Sequence, residues 1–156
     1  MKTLLATAGA FALLTTSMTN AADTNPAADA ISPLLAPWVG PYGGVPPFDQ
    51  VKVVDLKPGL ETGMAQQLAE IDRIANDPAA PPFENTIAAM ERAGRTLDRV
   101  GTIYGVYSST LNDEAVQAVE REMAPKLAAF SDQITQNPHP FERIAKVYET
   151  RETSAL

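Results

Sequence analysis

Glu84, Asn85, Thr86, Glu91, Arg92, Arg95 and Asp98 crowd one stretch, PPFENTIAAMERAGRTLDRVGTIYGVYSSTL, residues 81–111. Carboxylates beside an amide and hydroxyls are the raw material of general acid–base work, provided that two of them converge on one reacting atom. The spacing argues against convergence. Phe83, Ile87, Met90, Gly94, Leu97, Gly101, Tyr104, Ser108 and Leu111 recur in steps of four and three, which predicts one long helix with that series as its packing seam. The charged groups fall largely off the seam. Glu91 to Arg95 is an attractive i,i+4 pair and Arg95 to Arg99 a repulsive one, as on a solvated helix face.

Other candidate chemistry is thin. Histidine occurs once, His139 in NPHPF, and without a second histidine or any cysteine it reads as surface rather than as a catalytic zinc ligand. Ser108, Ser109 and Ser131 have no general base placed beside them. Glu120 with Glu122 diverge on a helix, and Glu149 with Glu152 read as a solvated face rather than as an acid and base. DLKPGLETG has the wrong order for a calcium loop, and the Gly43–Gly44 turn leads into Val-Pro-Pro rather than into a helix start with a lysine. The residues alone therefore assign no catalytic, cofactor-binding or metal-binding position.

Composition narrows the class further. The chain has 156 residues, 45% hydrophobic and 20% charged, which suits an ordinary folded domain. The absence of cysteine excludes disulfides, a thiol nucleophile and thiolate metal sites. A formal net charge of -7 opposes phosphate backbones and anionic membrane surfaces, so nucleic acid is a poor partner. The opening MKTLLATAGAFALLTTSMTNAA has a basic start at Lys2, an apolar run from Leu4 to Leu14 and small residues at Ala21 and Ala22. It predicts a cleaved secretory leader over residues 1–21 and a periplasmic or secreted product. The run falls short of the roughly 20 residues that span a bilayer, so no membrane span is expected.

The elements follow from periodicity. Residues 22–54 are crowded with proline and glycine and predict an extended arm that docks on a helical body through Leu34, Leu35, Trp38, Tyr42 and Phe48. From residue 55 to 152 the chain reads as helical. Leu56, Leu60, Met64, Leu68, Ile71 and Ala75 form one face of a helix capped by Asp55, with Pro58 in its first turn. After the long helix of residues 81–111, Val116, Val119, Met123, Leu127, Phe130 and Ile134 mark another, capped by Asp113 or Asn112 and kinked before Pro125. A last, shorter helix after Pro140 carries Phe141, Ile144, Val147 and Tyr148 on one side. Gly94, Gly101 and Gly105 suggest close approach by a neighbouring helix, since each costs about 1 kcal/mol relative to alanine. The fold class is all-α, with about four antiparallel helices.

These pieces, in order, resemble a known family. Pro47-Phe48-Asp49, then a short extended stretch, a helix beginning around Lys57-Pro58-Gly59-Leu60, the Ile71 and Ile74 pair, and Phe83-Glu84-Asn85-Thr86-Ile87 with Glu91 and Gly94 resemble the amino-terminal region of the thimet oligopeptidases and peptidyl-dipeptidases. The resemblance covers residues 33–151, and the arm from Trp38 to Pro47 tilts it towards secreted or periplasmic peptidyl-dipeptidases. Pro82 departs from it, standing where the family commonly has a threonine cap.

The resemblance implies a zinc peptidase that hydrolyses short oligopeptides, its zinc held by H-E-x-x-H and a further glutamate. This sequence contains no such motif. It therefore implies that the chain is the leading, non-catalytic part of a longer enzyme, one wall of a peptide channel, inactive alone and lacking the carboxy-terminal catalytic region. A free-standing periplasmic binding or chaperone-like module is the alternative. Such a module would cover its own apolar seams.

Overall fold

The computed structural model describes residues 32–152. The leader expected over residues 1–21, the first part of the arm and the last four residues lie outside that range. Within it the fold is all-α, with five helices and no strand among the described residues: α1 Val53–Ala75, α2 Phe83–Arg92, α3 Arg95–Thr110, α4 Glu114–Thr135 and α5 Pro138–Thr150.

Helix α1 is the axis of the molecule and packs on all four others. It starts two residues before the expected Asp55. Asp55 caps from inside the first turn, its Oδ2 accepting the Lys52 N–H at 3.0 Å while its own N–H donates to the Lys52 carbonyl at 2.9 Å. Pro58 therefore falls in the second turn rather than the first. Of the expected apolar face, Leu56, Leu60, Met64 and Ile71 are buried. Each such side chain contributes roughly 1.5–3 kcal/mol on leaving water.

The stretch 81–111 is two helices, not one. Gly94 has φ 84°, a left-handed backbone that side-chain-bearing residues avoid, and it separates α2 from α3. The break resets the helical phase. Val100, Ile103 and Tyr107 are the buried face of α3, one position away from the expected Gly101, Tyr104 and Ser108. Gly101 and Gly105 face no neighbour within 4 Å. The close approach comes from α1: a Cβ on Gly63 would stand 2.9 Å from the Leu97 Cα, and one on Gly59 3.1 Å from Leu34 Cδ1.

Helix α4 follows its expected face, with Val116 and Met123 buried, and Asp113 Oδ1 accepts the Val116 N–H at 2.9 Å as the cap. It runs unbroken as one helix through Pro125. The Arg121 carbonyl, deprived of the i+4 donor, belongs to an exposed residue open to water. Helix α5 begins at Pro138, with the Asn137 side chain accepting the His139 N–H at 3.1 Å. Its buried residues are Pro140, Arg143 and Val147, whereas Phe141 and Tyr148 are 70% and 64% exposed. The expected face is therefore off by part of a turn, because an arginine occupies the interior side.

Residues 32–52 lie along the helices. Leu34 is wholly buried in the core with Leu56, Leu60, Val100 and Ile103, and Val51 joins them. Two polar ties hold this segment: Tyr107 Oη donates to the Val51 carbonyl at 2.9 Å, and Arg99 Nη2 donates to the Leu35 carbonyl at 3.2 Å. Leu35 and Trp38 pack at the core's edge. Tyr42 does not anchor. It stands fully exposed at the tip of a short turn, Pro41–Gly43, closed by an antiparallel bridge between Val39 and Val45, and Phe48 is 40% exposed.

Candidate functional site

The polar stretch that opens α2 is built into a tether. Asn85 Nδ2 donates to Asp77 Oδ2 at 3.1 Å and to the Ala80 carbonyl at 3.2 Å. Its Oδ1 accepts from Thr86 Oγ1 at 3.1 Å and from Arg143 Nη2 at 3.0 Å. Arg143 reaches on to the loop between α1 and α2, its Nη1 donating to the carbonyls of Asp77 at 2.7 Å and Ala79 at 3.3 Å, with Asp77 Oδ2 3.8 Å from Nη2. Thr86 is wholly buried and Arg143 is 7% exposed. A planar guanidinium with several fixed donors suits this job of gathering carbonyls and an amide oxygen from two segments. Asn85 and Thr86 thus join α5 to the α1–α2 loop; neither points a free group at a substrate.

Beside this tether lies a cleft of about 550 Å³ between the end of α1 and α2. Glu70, Arg73, Asp77, Glu84 and Arg92 supply its charges, and Ile74, Ala89 and Ala93 supply apolar surface. Glu70 Oε2 accepts the Gly94 N–H at 2.7 Å, which binds the break between α2 and α3 to α1. Arg92 Nη1 lies 3.6 Å from Glu84 Oε2. Arg73 gives its Nε to the Ala69 carbonyl at 3.3 Å and takes part in no ion pair among the described residues.

On the opposite side, α1 and α4 are joined by Lys57, Glu61, Glu122 and Lys126. Glu122 Oε1 accepts Lys57 at 2.5 Å and Lys126 at 3.2 Å, and Lys126 also reaches Glu61 at 2.6 Å. The hydrogen bonds from Lys57 and then Lys126 hold the Glu122 carboxyl below its ordinary range. Those to Glu61 and then Glu122 hold the Lys126 ammonium above its own.

The remaining candidates are not brought together. His139 Nδ1 lies 3.7 Å from Glu142 with both side chains exposed, and no group of three donors suited to a metal occurs among the described residues. The described residues therefore offer no site that fits the zinc of the resemblance. Ser108 and Ser109 donate to carbonyls one turn back along α3, Gly105 and Val106. Glu120 approaches the Asn112 side chain at 3.4 Å, and Glu152 pairs with Arg151. Glu91, Arg95 and Asp98 are exposed. Sequence reasoning missed Asp77, Arg73 and Arg143. The signal available was the i,i+3,i+7 series Pro140, Arg143, Val147, which puts a cation on the side of α5 facing the core.

No family model matches the chain. Two curated relatives do. The dipeptidyl carboxypeptidase of Salmonella typhimurium is 33% identical over 125 residues, 80% of this chain and 18% of the relative. The dipeptidyl carboxypeptidase of Escherichia coli is 32% identical over 126 residues, 81% of this chain and 18% of the relative. The chain therefore spans under a fifth of the length of the relatives it matches. No helix among the described residues is long and apolar enough to cross a membrane. A similarity at this level, running through most of the chain, is common descent, and the chain is homologous to a segment of these two dipeptidyl carboxypeptidases.

Proposed function

We propose that this chain is the non-catalytic amino-terminal segment of a secreted, zinc-dependent peptidyl-dipeptidase and forms one wall of the channel that admits short peptides. The observation that carries the reading is the 33% identity across 80% of the chain to a dipeptidyl carboxypeptidase of which it spans only 18%. The internal ties support a wall rather than a centre of chemistry. Asn85, Thr86 and Arg143 are consumed in holding helices to one another, and Ser108 and Ser109 are tied to their own helix. On this reading zinc and the residues that activate water lie in the rest of the enzyme, and this segment excludes folded proteins by its rigidity.

The test is made on the native product of the cell envelope. An intact mass several times the 16.6 kDa of this chain, with release of dipeptides from oligopeptide carboxyl ends that a chelator abolishes, is the expected result. A product equal to this chain less its leader would overturn the peptidase reading and put a binding module in its place.

A further inference from the structure

We infer that the cleft between the turn of the arm and the first turn of α3 binds one inorganic phosphate ion. Pro37, Trp38 and Gly43 line it from the arm, and Arg95, Asp98 and Arg99 from α3, around a volume of about 340 Å³. Two of these residues hold a donor without an acceptor: the Trp38 indole Nε1–H and the Arg99 Nε–H are both buried and unpartnered. An unmade buried hydrogen bond is costly, so an acceptor that reaches these groups recovers what the closed fold forgoes. Arg99 Nη2 is engaged, donating to the Leu35 carbonyl and to Thr96 Oγ1, both at 3.2 Å, which holds the guanidinium against the arm. Arg95, one turn earlier, is exposed and takes part in no hydrogen bond or ion pair among the described residues.

The donor set selects the ligand. A planar carboxylate is satisfied by the fork of a single guanidinium. Here an indole N–H, an Nε–H and a free guanidinium come from three side chains, which suits an acceptor presenting oxygens in several directions. Two arginines against Asp98 make the cleft locally cationic on a chain whose formal net charge is -7. Charges beyond about 8 Å are screened at physiological ionic strength, so the local sum governs. Asp98 sharpens the choice, because a carboxylate accepts hydrogen bonds and donates none. Inorganic phosphate keeps an O–H for it at neutral pH, whereas sulfate has none and a phosphomonoester loses its second proton at about pH 6. Neither orphaned N–H is open to water, so the ion enters by displacing the Trp38 ring and the turn after it, whose tip, Tyr42, is wholly exposed. With Arg95 at the surface, the dissociation constant is expected to be on the order of 1 mM.

The chain has one tryptophan, so its indole N–H gives a single resonance. The experiment follows that signal by NMR while the chain is titrated, at constant ionic strength and mildly alkaline pH, with inorganic phosphate and separately with sulfate and glycerol phosphate. A saturable displacement with phosphate is expected, and binding of sulfate and of the ester roughly fivefold weaker or more. Arg95→Gln should weaken phosphate binding roughly fivefold. Asp98→Asn, whose amide donates as well as accepts, should erase the preference and let sulfate bind as tightly as phosphate. The side chains of Arg95 and Asp98 make no hydrogen bond or ion pair among the described residues, so both variants keep the fold. Arg121→Gln, exposed on α4, changes the net charge alone and should leave binding as it is. No saturable change with phosphate overturns the site, as does a change that Arg95→Gln leaves intact or that Arg121→Gln weakens equally. Sulfate or the ester binding the natural chain as tightly as phosphate overturns the choice of ion.

Discussion

Arg143 Nη1 donates to the main-chain oxygen of Asp77 at 2.7 Å, although 66 residues separate the two in the chain. The contact makes α5 the strap of the α1–α2 loop, and the bonds from Nη1 and Nη2 offset the cost of burying a guanidinium whose Nε is left without a partner. Replacing Arg143 by methionine keeps the apolar stem, takes the donor from the Asp77 and Ala79 carbonyls and leaves Asn85 Oδ1 with Thr86 Oγ1 alone. A loss of about 2–4 kcal/mol is expected from urea unfolding. Lysine should recover only part of it, because a single ammonium cannot reproduce the fork. A loss under about 1 kcal/mol would show that water replaces the clamp.

The glycines of α1 and α3 make opposite predictions from the same substitution. Gly63→Ala places a methyl 2.9 Å from the Leu97 Cα, a backbone atom that moves only with its helix, and should cost about 1–3 kcal/mol. Gly101→Ala meets nothing within 4 Å in the middle of a helix and should stabilise by about 1 kcal/mol. Thermal unfolding of both variants separates the two cases. A destabilised Gly101→Ala would mean that a partner seats itself against that face of α3.

Most of the helices were legible because apolar periodicity survives in α1 and α4, each of which buries a single face throughout. The stretch 81–111 was not, and the cause is local. A seam counted across Gly94 assumes one continuous helix, and after the left-handed turn the buried positions of α3 beyond Leu97 are Val100, Ile103 and Tyr107 rather than Gly101, Tyr104 and Ser108. Helix α5 misled for another reason: its interior side carries Arg143, and hydrophobicity alone points to Phe141 and Tyr148, which face outward. The tether of Asp77, Asn85 and Arg143 joins three segments distant in sequence, so no local pattern announces it. Family resemblance was legible from the order of landmarks, whereas the cleft at Trp38 and Arg99 needed the geometry that shows which donors are left without a partner.

The network of Lys57, Glu61, Glu122 and Lys126 sets a pH window. Glu122 titrates below its ordinary value of 4.5 in the folded protein, so its contribution is present above that pH and is lost as the pH falls through the folded value. Lys126 titrates above its ordinary 10.5, so its contribution is present below that pH and is lost on going higher. The difference in unfolding temperature between the natural protein and Glu122→Gln should be steady near neutrality and vanish in acid. Raising salt to 1 M, where screening acts within about 3 Å, should shrink it as well. A difference that persists in acid would assign it to packing.

The arm supplies a fourth prediction at its core end. Leu34 is wholly buried between α1 and α3, and Leu34→Ala should cost about 2–5 kcal/mol. Tyr107→Phe removes only the hydroxyl that serves the buried Val51 carbonyl, for about 1–3 kcal/mol. Both variants should open residues 32–52 to limited proteolysis before the helices are cut. Cleavage of the helices first would show that this segment is not held by these two contacts.

At its outer end the arm carries a strain that nothing in the fold repays. Tyr42 has φ 59° and ψ 29°, a left-handed conformation that disfavours a side chain with a Cβ, yet the ring is fully exposed and accepts no support from the core. Pro41 fixes the dihedral before it, and the bridge from Val39 to Val45 fixes the length of the turn, so the strain is imposed by the neighbours. Asparagine tolerates this backbone better and leaves the unfolded chain stiffer than glycine would. Tyr42→Asn is therefore expected to stabilise the chain by about 0.5–1 kcal/mol in urea unfolding, and Tyr42→Gly by less. If Tyr42→Asn destabilises instead, the aromatic ring makes a contact worth more than the strain, and the tip of the arm is held rather than free.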